Sequence, residues 1–173
     1  MDAAIRPGRL GDVAAIQAIY ARHVLEGLAT FEEIPPDAAE MGRRFAEVTD
    51  RGLPWLVAAA GGRLLGFAYA GPYRTRSAYC FAVEDSIYLD PAAMGQGLGT
   101  RMLERLIAEA EAQGARQMLA VIGDSGNAGS IGVHRRCGFA HAGVLRSVGF
   151  KLGRWVDTVL MQRPLGAGDE TLP

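Results

Sequence analysis

Gly95-Gln96-Gly97-Leu98-Gly99-Thr100 separates an apolar strand, which stops at Leu89-Asp90-Pro91, from a helical run. In that run Leu98, Met102, Leu103, Leu106, Ile107 and Ala110 recur at the spacing of one buried helix face, and Gly114 closes it. Glycines at a strand-to-helix junction let the backbone approach a ligand closely, and the free amides of the helix start suit a pyrophosphate. A plain tight turn is the other reading. No Lys-Ser or Lys-Thr follows the glycines, so the loop is not a P-loop. A dinucleotide-binding fingerprint asks for Gly or Ala where Thr100 stands, although Asp124 imitates its ribose-binding acid. Such a domain opens its sheet with the motif. Here one clear helix–strand unit follows before the chain turns to β.

Upstream of the loop, Ala3–Pro7 reads as a short strand. Asp12 is expected to cap a helix carrying Val13, Ile16, Tyr20 and Val24 on one face and ending at Gly27. Asp37 follows Pro35-Pro36 and opens a second helix with Met41, Phe45 and Val48 inward and Glu40 at the capping-box position. Trp55–Ala60 and Leu64–Ala70 form a hairpin across Gly61-Gly62, and Tyr79–Leu89 reads as one long strand. Its alternation turns Val83, Asp85, Ile87 and Leu89 one way and Glu84, Ser86 and Tyr88 the other. Downstream come a buried strand Met118–Ile122, a helix Asn127–Arg136 ended by Gly138, and strands Phe139–Leu145 and Trp155–Met161. The order is βααβββαβαββ. That predicts an α/β (α+β) domain with one mixed sheet flanked by helices. A single domain is expected over residues 1–165, with 166–173 a small, polar tail that frays.

Composition excludes several classes. The 173 residues suit one core, and the net charge of -1 gives no electrostatic case for nucleic acid. Apolar residues are 49% and charged residues 21%, ordinary for a soluble protein. No run approaches the ~20 apolar residues of a membrane span, and MDAAIRPGRLGD lacks the pattern of a signal peptide. Cys80 and Cys137 form no CxxC or paired framework and read as reduced thiols of a cytoplasmic protein. The three histidines are scattered, so no metal is expected.

The glycine loop resembles the pyrophosphate loop of the GNAT acetyltransferases, whose pattern is Arg or Gln, two residues, Gly, any residue, Gly or Ala. Gly97 and Gly99 match. Met94 stands at the Arg/Gln position, a departure that weakens side-chain contacts but leaves the backbone amides in place. The resemblance extends to Val83–Leu89, Gly126–Phe139 and Val148–Asp157. These blocks are similar to the phosphinothricin and methionine sulfoximine/sulfone acetyltransferase branch. Cys137, where that branch often has Leu, reads as a packing variant.

The resemblance implies the GNAT fold with a central, mostly antiparallel mixed sheet. It implies acetyl-CoA as co-substrate and acetyl transfer to the primary amine of a small amino-acid-like molecule by direct attack. It also implies a homodimer with Phe150, Lys151 and Trp155 near the interface. A peptide or protein amine, or a non-catalytic acyl-CoA sensor, are the alternatives. A covalent acetyl-cysteine route is disfavoured, since neither cysteine has an evident base partner.

Amide formation from a thioester needs a base for the amine, donors for the developing oxyanion and a proton for the thiolate. Glu84 is the candidate base; a solvent-facing strand glutamate is the plain alternative. His134 stands where many GNAT enzymes have a tyrosine thought to protonate the thiolate, and imidazole, with a pKa of about 6.5, suits that work. A structural histidine is its alternative. Asn127, Ser130 and His134 share one helix face, and Asn127 is expected both to cap the helix and to touch ligand. The implied acetyl-CoA site comprises Ile87, Tyr88, Leu89, Gly95, Gln96, Gly97, Leu98, Gly99, Thr100, Asn127 and Ser130. The resemblance also implies a backbone amide around Tyr88 and Leu89, for example that of Leu89, as the oxyanion donor; the sequence does not single one out. The acceptor site comprises Phe31, Arg74, Thr75, Arg76, Glu84, Asp85 and Ser86, with Arg74 and Arg76 suited to a carboxylate.

Overall fold

A computed structural model describes residues 3–172; Met1, Asp2 and, at the end of the expected tail, Pro173 lie outside the described residues. The chain forms β1 (Ala4–Pro7), α1 (Val13–Glu26), α2 (Ala38–Thr49), β2 (Trp55–Ala60), β3 (Arg63–Pro72), β4 (Ala82–Leu89), α3 (Leu98–Ala112), β5 (Gln117–Gly123), α4 (Ala128–Arg136), β6 (Ala140–Lys151) and β7 (Arg154–Pro164). One seven-stranded sheet runs β1-β2-β3-β4-β5-β7-β6. Every neighbouring pair is antiparallel except β4 with β5.

Alternation along the central strands builds two cores. Leu56, Ala58, Ala68 and Ala70 turn to the face covered by α3, where Met102, Leu103, Leu106 and Ala110 are all fully buried. Trp55, Val57 and Phe67 turn to the other face, under α1 and α2. There Trp55 stacks on Tyr69 at 4.3 Å and Phe67 on Tyr88 at 5.2 Å, a packed aromatic layer that fixes the β3–β4 face. Among the described residues no helix is long and apolar enough to cross a membrane.

Four local expectations are corrected. Asp12 does not cap α1; its carboxylate takes hydrogen bonds from Arg6 and from the Arg9 amide of the preceding 3-10 turn. Asp37 does cap α2, accepting from the Glu40 amide at 2.8 Å, but Glu40 reaches Arg43 and Arg44 instead of completing a box. Ser77–Tyr79 is a 3-10 turn, so β4 begins only at Ala82, where its pairing with β5 starts. β6 extends six residues past Leu145, through a register shift between Leu145 and Gly149 that restores pairing with Val156–Arg154. Leu165, just before the expected tail, is buried, and within the tail the Gly168 and Thr171 carbonyls and the Thr171 hydroxyl accept from the Arg116 guanidinium.

Candidate active site

β4 and β5 pair only over Ala82–Asp85 and Gln117–Ala120. Beyond that rung both continue, β4 to Leu89 held by β3 and β5 to Gly123 held by β7, without bonding each other. Two parallel strands drawn apart leave backbone groups unpaired in the gap. The ladder gives their direction. Tyr73 N–H bonds Ala82 C=O and Asp90 N–H bonds Leu65 C=O. By alternation Glu84, Ser86 and Tyr88 turn their backbone to β3, whereas Ile87 and Leu89 turn theirs into the gap. The Leu89 carbonyl there accepts a hydrogen bond from His23 Nε2 at 2.8 Å.

The gap opens into a cavity of about 710 Å³. Ser86–Leu89 form one wall and Ala120–Gly123 the other. Met94, Gly95, Gly97, Gly99, Thr100 and Arg101 close one end, and Asn127, Ser130, Val133, His134 and Arg136 close a side. Gly95 and Gly97 have φ of +73° and +77°, a left-handed path that favours glycine, and Gly97 is the N-cap of α3. The amides of α3's first turn therefore face an opening flanked by Arg101 and Arg136, a setting for negative charge. Gln96 lies outside the cavity lining with its amide on the Ala92 carbonyl. The Leu98 side chain is in the core.

α4 starts at Asn127, whose side chain accepts from the Ser130 amide at 3.1 Å, so the expected cap is present and also lines the cavity. One turn on, His134 is buried. Its Nδ1 lies 2.8 Å from the Ser130 carbonyl and its Nε2 2.9 Å from Asp85 Oδ2. Burial works against the imidazolium, but the Asp85 hydrogen bond and charge, with the Ser130 carbonyl, outweigh it and raise the His134 pKa. Asp85 Oδ1 is buried without a hydrogen bond from the protein.

Glu84 points to the opposite face of β4 and does not line that cavity. Burial pushes its carboxyl pKa up, Arg74 opposes this and Asp85 adds to it. Arg74 and Arg76 are exposed on the β3–β4 loop with Thr75, and the Arg74 guanidinium lies over the Tyr73 ring at 4.2 Å. Ser86 faces Tyr69 across the ladder. Phe31 is half exposed, with its ring against the Gly149 backbone of β6.

The segment carrying Phe31 is held from three sides. Lys151, the chain's single lysine, is buried and donates to the Thr30 carbonyl at 2.7 Å. Arg44 pairs with Glu32 at 2.6 Å, and the Tyr20 hydroxyl donates to the same carboxylate at 2.8 Å. Gly123 lets the Leu28 carbonyl lie against β5. Lys151 is thus an interior anchor for this segment rather than a surface residue.

Sequence reasoning missed His23, Arg101, Arg136 and the β5 wall. His23 falls on the helical face beside Val24 and nothing local distinguishes it. Arg101 and Arg136 carry a weak signal, being cations near the glycine loop and at the end of α4.

An α/β domain with a cavity between two diverging parallel strands, closed at one end by a glycine-rich helix start, has the architecture of an acyl-CoA-dependent transferase. The chain belongs to the acetyltransferase (GNAT) family, which it matches over residues 16–139. It is 60% identical to the phosphinothricin N-acetyltransferase of Alcaligenes faecalis, over 98% of this chain and 86% of the relative. It is 42% identical to the L-methionine sulfoximine/L-methionine sulfone acetyltransferase of Pseudomonas paraeruginosa, over 94% of each. The crystal structure of a phosphinothricin acetyltransferase from Sinorhizobium meliloti in complex with acetyl-CoA superposes with a TM-score of 0.97 at 48% identity, covering 100% of this chain and 94% of that one.

Proposed function

We propose that this protein transfers the acetyl group of acetyl-CoA to the primary amine of a small amino-acid-like acceptor of the phosphinothricin, methionine sulfoximine or methionine sulfone type. Both substrates are bound together and the amine attacks directly. The observation that carries this reading is the divided β4: one strand turns unpaired backbone into an elongated cavity and, on its other face, a carboxylate whose pKa burial has raised.

The residues present fit acetyl-CoA. Gly95, Gly97, Gly99 and Thr100, with the amides of Gln96 and Leu98, form the end for the pyrophosphate, and Arg101 and Arg136 add charge. Ile87 and Leu89 offer the pantetheine arm backbone groups, Tyr88 lines the same wall, and Asn127 and Ser130 line the opposite side. Bound there, acetyl-CoA supplies a thioester carbonyl, whose oxygen gains negative charge during attack. The Leu89 amide, turned into the gap, is the donor placed to stabilise it.

Glu84 removes the amine proton, directly or through a water, because a raised pKa makes its carboxylate a stronger base. His134 returns a proton to the departing sulfur. Arg74 and Arg76, with Thr75, hold the acceptor's carboxylate, while Phe31 and Ser86 shape the pocket around its amine; Asp85, on the other face of β4, is taken up by His134 instead. Acetyl-CoA dependence and the two free thiols fit a cytoplasmic enzyme. Acetylation of a toxic amino-acid analogue would confer resistance to it.

Thiol release from acetyl-CoA, measured with each of the three acceptors in turn, tests the assignment. Release with any of them is expected. Binding of acetyl-CoA without release would send the acceptor assignment to peptide amines or leave a sensor. In Arg74→Ala the acceptor KM is expected to rise tenfold or more, since a hydrogen bond between charged groups contributes ~1.5–3 kcal/mol. Arg74 also holds the Glu84 pKa down. Its loss should therefore move the acid limb of activity to higher pH, because Glu84 must be ionised to act as base.

A homodimer fits the β6–β7 hairpin. β6 is an edge strand, and Leu145, Val148, Phe150, Leu152 and Trp155 are all exposed on the hairpin, an apolar surface of the kind a second copy covers. Sedimentation should show a dimer, and Trp155→Glu should shift it toward monomer. A wild-type monomer would remove the dimer from this reading.

A further inference from the structure

We propose that Asp85 is a positioning residue: it holds His134 as an imidazolium with both ring N–H groups committed, and so fixes the protonation state in which α4 presents this histidine to the cavity. The argument starts at the other nitrogen. Nδ1 lies 2.8 Å from the Ser130 carbonyl, which can only accept, so Nδ1 carries a proton. Nε2 lies 2.9 Å from Asp85 Oδ2. A single proton must sit between them, and imidazole is the stronger base, with an ordinary pKa of about 6.5 against about 3.9 for aspartate. Nε2 therefore donates as well, and the ring is charged.

The fold makes this pairing rigid. Asp85 occupies the last rung of β4–β5 pairing, opposite Ala120, immediately before the strands part. His134 is held by its own helix through Ser130 and by the Phe139 ring, edge-on at 5.1 Å. Asp85 from β4 is the charged group acting on it. Glu104 of α3, Arg163 of β7 and Arg136 of α4 act on the neighbouring Cys137 instead. Adjacent carboxylates of one strand thus take different work: Glu84 faces the acceptor side, and Asp85 faces α4.

The inference deepens the reading of His134 as proton donor and rests on it. In that step the ring gives up one of its two hydrogen bonds: the N–H bond so freed breaks, an S–H bond forms at the departing thiolate, and the imidazolium becomes neutral. Asp85 keeps the proton on the ring at pH values where an ordinary histidine has lost it.

The test is imidazole 15N NMR of the full chain without substrates, with His134 assigned by comparison with His134→Gln. Both His134 nitrogens are expected to be protonated at neutral pH and to titrate above the ordinary imidazole range. In Asp85→Asn the titration should fall below that range, because burial, the largest influence, is then opposed only by the Ser130 carbonyl. The kcat profile should follow: its alkaline limb moves to lower pH in Asp85→Asn, so the loss grows by about tenfold per pH unit above the new limb. Asp85→Glu should recover part of the limb. A wild-type His134 with one unprotonated nitrogen at neutral pH would overturn the proposal, as would a loss in Asp85→Asn that is uniform across pH. The wild-type spectrum decides the matter if Asp85→Asn does not fold. It needs no turnover, so failure of the acetyltransferase reading would be seen separately, in the thiol-release assay.

Discussion

Glu84→Gln is expected to bind acetyl-CoA with unchanged affinity and to lose about 10²–10⁴ in turnover, the usual contribution of a positioned general base. The two readouts separate because the proposed base stands outside the cavity proposed for acetyl-CoA. Ile87 and Leu89 line the cavity, whereas Glu84 does not. Glutamine keeps the size of the side chain and removes its basicity. The substitution should also leave thermal stability unchanged or slightly raised. Glu84's pKa is raised in the fold, so folding favours its protonated form. That contribution is fully present below the unfolded pKa and is lost as pH rises through the folded value. A neutral amide escapes the loss. For the wild type, activity should fall as pH drops through a value above the ordinary carboxylate range. A Glu84→Gln enzyme with normal kcat would remove Glu84 from the mechanism.

Gly123→Ala is expected to be the most damaging single methyl in the site. A Cβ at Gly123 would overlap the Leu28 carbonyl oxygen, which is backbone and cannot rotate away. The Leu28–Phe31 segment must then lift from β5. It is tied at Thr30 to Lys151 and at Phe31 to the Gly149 backbone, so the displacement spreads to the acceptor side. Overpacking of this kind costs about 1–3 kcal/mol. Misplacement of ~1 Å near reacting groups costs up to about 10² in rate. Thermal melting and kcat/KM for the acceptor are the measurements. A variant that matches the wild type in both would mean that this segment does not rest on β5 in solution. Gly95→Ala makes a useful contrast, because nothing lies within 4 Å of its Cβ and only the positive φ resists the substitution.

Much of the architecture was legible because it follows from local periodicity. The α3 stripe from Leu98 to Ala110 is buried throughout, and Asn127 caps α4 as its residue type suggests. The alternation of Val83–Leu89 splits the strand between two faces as expected. Errors fell where a contact distant in sequence overrides the local pattern. Tyr79–Phe81 has strand-like residues, but the Phe81 carbonyl accepts from the Arg116 and Gln117 amides and the ladder starts after it. β6 reads as ending at Leu145 because Arg146-Ser147 is polar. The register shift, with Ser147 at φ +51° and its amide on Asp157, carries the strand past that interruption.

The candidate site divides in the same way. The residue types proposed for the chemistry, Glu84, His134 and the paired arginines, stand in the sequence with a spacing that places them on a strand, a helix and a loop. The sequence also sets the glycine path at Gly95 and Gly97 and the amphipathic helix behind it, since backbone sterics and helical spacing act within a few residues. The point where β4 parts from β5 depends on the whole sheet, because β3 and β7 hold the two strands apart. From that follow the cavity, the free Leu89 amide and the role of His23, 66 residues away, on the Leu89 carbonyl. The partner that holds His134's charge also comes from afar, 49 residues along the chain. Periodicity placed each group on an element; only the packed sheet decided which groups meet, because pairing energies in a dry interior depend on distances that local sequence does not set.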